Sequence, residues 1–226
     1  MRYRTFPGTD LTVSEVGFGV WTLTTGWWPE ANKGSAEAGR LLREALDLGV
    51  TLFDTADVYG DGAGETLLRD TLADRREEIV IATKGGYDIY NHPAPGGQRE
   101  RPQDFSPEYL RFAVEQSLRR LGTDHIDFYQ LHNVKLEHVL AEDTFAALEA
   151  LQAAGKLRWY GTALGPAIGW LVEGVVAIHR QRGVGMQMIY NLLEQYPGRE
   201  LFEAAHQWGH GFLIRVPHSG SVPAVV

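Results

Sequence analysis

An α/β barrel, a (β/α)8 TIM-type fold that lacks its eighth βα unit and is preceded by an N-terminal β-hairpin, is the fold class that three observations predict. Short apolar runs alternate with longer stretches of helical period from residue 16 almost to the end, the pattern of parallel strands joined by helices. Several runs lack polar alternation and are rich in β-branched and aromatic residues, as strands covered on both faces should be. Most strand-to-strand intervals are about 30 residues, the size of one βα unit. Seven such units account for the whole chain, residues 1–226, as one domain.

The elements follow in order. RYRTF and TVSEV flank Pro7-Gly8-Thr9-Asp10, which reads as a hairpin able to plug the barrel floor. The expected barrel strands are VGFGV from Val16, VTLF from Val50, IVIA from Ile79, IDFY from Ile126, LRWY from Leu157, MQMI from Met186 and GFLI from Gly211. Ser35 and Gly49 bracket a helix carrying Leu41, Leu42, Ala45 and Leu46. Ser106-Pro107-Glu108 supplies a hydroxyl cap, a proline at the first helical position and an early carboxylate, and Gly122 closes that helix. A further helix, with Phe145, Leu148 and Leu151 on one face, ends at Gly155. The stretch from Tyr87 to Phe105, rich in Gly and Pro, reads as a surface loop inserted after the third strand.

Composition bounds the function. With 44% hydrophobic residues the chain can bury a large core. A net charge of −8 without a basic stripe argues against nucleic acid or an anionic membrane as partner. No cysteine is present, which excludes disulfides, thiolate metal sites and cysteine nucleophiles. His92, His179, His206, His210 and His218 form no metal-ligand pattern, so no metal is expected. The polar N-terminus lacks a signal-peptide stretch and no apolar run is long enough to span a bilayer, so a cytoplasmic location is expected.

In a parallel barrel the active site lies at the C-terminal ends of the strands. Three consecutive strands deliver polar side chains there: VTLF runs into Asp54, IVIA through Thr83 into Lys84, and IDFYQL into His132, while Tyr59 follows Asp54 in the same loop. An acid, a phenol, an amine and an imidazole at one mouth suit carbonyl reduction. Hydride addition leaves negative charge on oxygen, which calls for a proton donor and hydrogen-bond donors around it. A free tyrosine, with a pKa of ~10, becomes a better donor beside an ammonium group. Lys84 supplies that cation, Asp54 keeps it charged and aimed, and His132 orients the carbonyl. Taken singly, each has a plainer reading as a turn cap, wall residue, solvated lysine or satisfied core histidine; three strand ends aimed at one face favour a shared site.

FDTADVYG, the ATKGG strand end and DFYQLHN resemble, in spacing and order, the hallmark blocks of the aldo-keto reductases, and VGFGVW, RWYG, IYNLLEQ and RVPHSG extend the resemblance over nearly the whole chain. The resemblance implies an oxidoreductase that reduces an aldehyde, ketone or sugar carbonyl of a small molecule by direct hydride transfer from NAD(P)H, with NADP(H) ahead of NAD(H). It implies a tetrad of Asp54, Tyr59, Lys84 and His132, with Tyr59 as general acid. It also implies Trp21, Asp54, Gln187 and Arg215 as cofactor-binding residues, with Trp21, Trp28, Tyr59 and His132 at the substrate. Trp27 and Trp28 could extend an aromatic wall, or pack in the core or a lid.

Two stretches depart from the family pattern. Where the family usually carries Ser-Asn after the fifth strand, this chain reads Gly161-Thr162-Ala163-Leu164-Gly165-Pro166. SGSVPAVV follows soon after the seventh strand, with no counterpart of the eighth strand and the loop that grips the nucleotide, so a weak cofactor grip is expected. The first and seventh strands then present unpaired edges, which leaves open a homo-oligomer. The competing function is a catalytically impaired aldo-keto-reductase-like binding or regulatory protein. A lyase using Lys84 as a Schiff-base nucleophile fits less well, because Asp54 should keep that amine protonated.

Overall fold

The computed structural model describes residues 1–25, 35–94, 100–166 and 170–218. It opens with an antiparallel hairpin, β1 (Tyr3–Thr5) and β2 (Thr12–Ser14). β3 (Phe18–Gly19), α1 (Trp21–Thr24), α2 (Ser35–Asp47), β4 (Leu52–Asp54), α3 (Ala63–Leu72) and β5 (Val80–Gly85) follow. Next come α4 (Pro107–Leu121), β6 (Ile126–His132), α5 (Leu136–Leu140), α6 (Glu142–Ala153) and β7 (Leu157–Ala163). α7 (Leu171–His179), β8 (Gly185–Ile189), α8 (Gly198–Trp208) and β9 (Gly211–Arg215) complete the order. Strands β3 to β9 form one sheet in sequence order, every neighbouring pair parallel. This is the expected barrel architecture with seven strands among the described residues.

The sheet is strongly curled. Gln187 on β8 hydrogen-bonds Asp54 on β4 at 2.8 Å, although four strand spacings separate them in the sheet order. In a flat sheet those strands would stand ~19 Å apart.

Alternation along the strands divides the core in two. One face packs on the helices, with Phe53, Ile81, Tyr129 and Leu131 joining Leu42, Leu68, Val114 and Leu148. The other lines the barrel floor, where Leu52, Val80, Ala82 and Phe128 meet Phe6, Leu11 and Val13 of the hairpin region. The expected plug is therefore in place. The Phe6 ring lies 5.3 Å from that of Phe128. It presses so closely on Gly185 and Gly211 that a Cβ on either would approach it to 2.7 or 2.5 Å.

Several boundaries differ from the sequence expectation. The first barrel strand is shorter, with Val16 exposed before it. Strands β5, β6 and β7 run about three residues further than their apolar cores, through Gly85, His132 and Ala163. Ladder pairing continues there because a neighbouring strand is available, whatever the side chain's polarity. Ser35 is already helical rather than a flanking cap. The Ser106 cap forms as expected, its Oγ accepting from Tyr109 N, and Gly122 ends α4 in the left-handed region.

Candidate active site

The site grows from the inward faces of the strands. Leu52 and Asp54, Val80, Ala82 and Lys84, and Phe128, Gln130 and His132 share a face by the two-residue repeat. Floor residues at the lower end thus become mouth residues at the upper end. Gln187 belongs to the inward face of β8 in the same way, one step above Gly185, and Arg215 to that of β9, above Leu213.

Lys84 is fully buried. Its ammonium donates to Asp54 Oδ1 at 2.7 Å and to the Thr55 carbonyl at 2.8 Å. The same nitrogen stands 5.1 Å from the centre of the Tyr59 ring, a cation over an aromatic face. Across the mouth the His132 ring meets Tyr59 edge to face, with centroids 5.7 Å apart. These contacts bring Asp54, Lys84, Tyr59 and His132 together at the mouth. Lys84 meets Tyr59 through the ring face, while its two hydrogen bonds go to Asp54 and Thr55.

Tyr59 hangs on a tight loop. Its N–H donates to the Ala56 carbonyl, and its own carbonyl accepts from Gly64 N. The loop needs a glycine at Gly60, where φ is +60° and a Cβ would stand 2.8 Å from the Thr24 carbonyl oxygen. The next residue, Asp61, pairs with the buried Arg101 at 2.6 Å, joining this loop to the segment before α4.

Burial, then the charges of Lys84 and Arg215, hold the His132 imidazole well below its ordinary pKa, so the ring is neutral. Its Nδ1 is buried and without a hydrogen-bond partner among the described residues. The ring is held from its far side by Tyr87, at 5.0 Å between centroids. Asn133 Nδ2 donates to the Tyr87 hydroxyl at 2.8 Å, and Gln103 Nε2 donates to the carbonyls of His132 and Asn133. In the sequence Tyr87 stands only at the start of the loop after β5, and no motif marks Gln103. The one local signal was the position of Tyr87, three residues beyond Lys84.

Gln187 reaches across the barrel to Asp54 Oδ2, while its Oε1 is buried and unbonded. Arg215 donates to the Leu164 carbonyl at 2.6 Å. Trp21 opens α1 directly after β3, half-buried, and Val20 N donates to the Asp54 carbonyl. Trp27 and Trp28 lie outside the described residues. Ala163 and Leu164 offer no polar side chain at the end of β7.

A buried ammonium paired with a half-buried carboxylate beside a phenol, faced by a neutral imidazole, can protonate an oxyanion and hydrogen-bond it. No helix among the described residues is long and apolar enough to cross a membrane.

The chain is 39% identical over 161 residues to YqkF, an oxidoreductase of Bacillus subtilis, covering 71% of this chain and 48% of that protein. It is 36% identical over 156 residues to yakc, a Schizosaccharomyces pombe aldo-keto reductase named for NADP(+), covering 68% of this chain and 43% of that one. The holo form of an aldo-keto reductase from Bacillus halodurans superposes with a TM-score of 0.83 at 31% identity, over 99% of this chain and 71% of that one. The chain thus spans under half the length of these two curated relatives. A model of the aldo/keto reductase family matches residues 15–220, a span that takes in every strand of the curled sheet and all the residues gathered at its mouth, and this chain belongs to that family.

Proposed function

We propose that this site reduces the carbonyl group of a small-molecule aldehyde, ketone or sugar, with Tyr59 as general acid. The observation that carries the reading is the buried Lys84 ammonium, bonded to Asp54 at 2.7 Å and lying 5.1 Å from the Tyr59 ring centre, with His132 on the opposite wall. A reduced nicotinamide nucleotide supplies the hydride when bound.

Tyr59 gives its hydroxyl proton to the carbonyl oxygen as negative charge develops there. Lys84 stabilises the phenolate that remains, and Asp54 keeps the ammonium charged and aimed. His132, neutral, donates a hydrogen bond that orients the carbonyl. Its burial against Tyr87 suits a fixed donor better than a proton shuttle.

Part of the donor set fits a nicotinamide nucleotide. Gln187 Oε1 is a buried, unbonded acceptor next to Asp54, suited to a carboxamide N–H. Arg215 brings a cation to the same mouth, and Trp21 an aromatic wall. The missing polar pair at Ala163 and Leu164 leaves the carboxamide fewer partners. NADP(H) is the preferred nucleotide in this reading, which the NADP(+) in one relative's name supports.

The test is NADPH consumption with 4-nitrobenzaldehyde or methylglyoxal. Tyr59→Phe should lower kcat by roughly 10²- to 10⁴-fold with an unchanged circular dichroism spectrum. Turnover by the Tyr59→Phe variant at the wild-type rate would remove Tyr59 from the mechanism. A folded wild type without turnover would instead favour a binding protein.

A further inference from the structure

Asp54 is gripped from two sides. Its Oδ1 accepts from Lys84 on the adjacent strand β5, and its Oδ2 accepts at 2.8 Å from Gln187 Nε2 on β8. A carboxylate can only accept, so the orientation of the Gln187 amide is determined: the NH2 faces Asp54. Gln187 is itself rigidly mounted. It is 3% exposed, its residue pairs with both Ala163 and Leu213 in the sheet, and its carbonyl accepts from Leu164 N. Hydrogen bonds to a charged group are the stronger kind, more so where water is scarce.

We infer that Gln187 is a positioning residue for the reaction: it clamps the Asp54 carboxylate in the orientation that holds Lys84 beside Tyr59. The inference rests on the reductase reading for its kinetic consequences and on geometry alone for the bond. Without the amide, Asp54 keeps Lys84 as its one side-chain partner among the described residues and is free to rotate about its side-chain torsions.

Two variants separate this role from plain packing. Gln187→Met keeps the length and loses the donor along with the Oε1 acceptor; at saturating nucleotide, kcat/KM for the carbonyl substrate should fall roughly ten- to a hundredfold at every pH. Gln187→Glu places a carboxyl against Asp54. At low pH, near ~5, the two share a proton and a donor is restored; at higher pH both ionise and repel. The ratio of Glu-variant to wild-type kcat/KM should therefore fall as pH rises, which a packing defect would not produce. A pH-independent ratio, or a Met variant with wild-type kcat, overturns the inference.

A readout without turnover keeps the two readings apart. In the 15N-labelled chain without nucleotide, the Gln187 side-chain amide protons should be shifted downfield and slow to exchange, and Asp54→Leu should abolish both marks. Identical signals in the two proteins overturn the clamp even if the enzyme is active. A wild type that reduces nothing removes the reductase reading while leaving this bond to the spectrum.

Discussion

Asp57, two residues before Tyr59, is fully buried, and neither of its carboxylate oxygens makes a well-formed hydrogen bond among the described residues. Burial first, then the charge of Glu65, pushes its carboxyl well above the ordinary range, with Arg120 and Lys84 pulling the other way. In the unfolded chain the same group ionises near ~4. Between those two values the folded state holds a proton that the unfolded state has released, so this residue's contribution to stability declines as pH rises. Asp57→Asn should therefore gain stability over wild type, by a margin that grows between about pH 5 and pH 8. Urea unfolding at several pH values measures it; a margin constant with pH would show that Asp57 is ionised in the fold. His132 works in the opposite sense, since the unfolded chain takes up a proton below ~6.5 that the folded imidazole refuses. The four residues of the expected tetrad were legible because each ends or follows an apolar run. Asp57 lies in the same FDTADVYG block, yet its burial follows from what closes over the loop rather than from its neighbours in sequence.

At the scale of single elements, α4 carries the clearest local code. Ser106 Oγ accepts from Tyr109 N at 3.3 Å, Pro107 takes the first helical position and Gly122 turns the chain out of the helix with φ +65°. Ser106→Ala should cost about 1 kcal/mol and Ser106→Gly only a few tenths, read from the denaturation midpoint at unchanged slope. Equal losses in the two variants would mean that the hydroxyl bond carries little. Strand ends were less legible than strand cores. Lys84 and His132 were expected just beyond their strands but stand within them. Polar residues extend a strand where neighbouring strands pair with their backbone and the mouth accommodates their side chains, and neither condition is visible in a window of a few residues.

For the whole molecule, the floor plug and the mouth depend on one curvature. Phe6 fills the space beneath the strands only because Gly185 and Gly211 carry no side chain there. Phe6→Ala should destabilise the fold by about 3–5 kcal/mol, with the midpoint shifted and the slope unchanged. A loss below ~1 kcal/mol would mean that the hairpin is peripheral. By itself the sequence determined the alternation of strands and helices, the hairpin, the caps of α4 and which strand ends carry an acid, an amine and an imidazole. These follow from two- and 3.6-residue periods and from cap chemistry, which act over a few neighbours. Tertiary structure alone decided that Gln187 meets Asp54, that Tyr87, Gln103 and Asn133 brace His132, and that Asp57 is sealed from water. Such contacts arise from twist accumulated over seven strands, a sum that no local stretch of sequence contains.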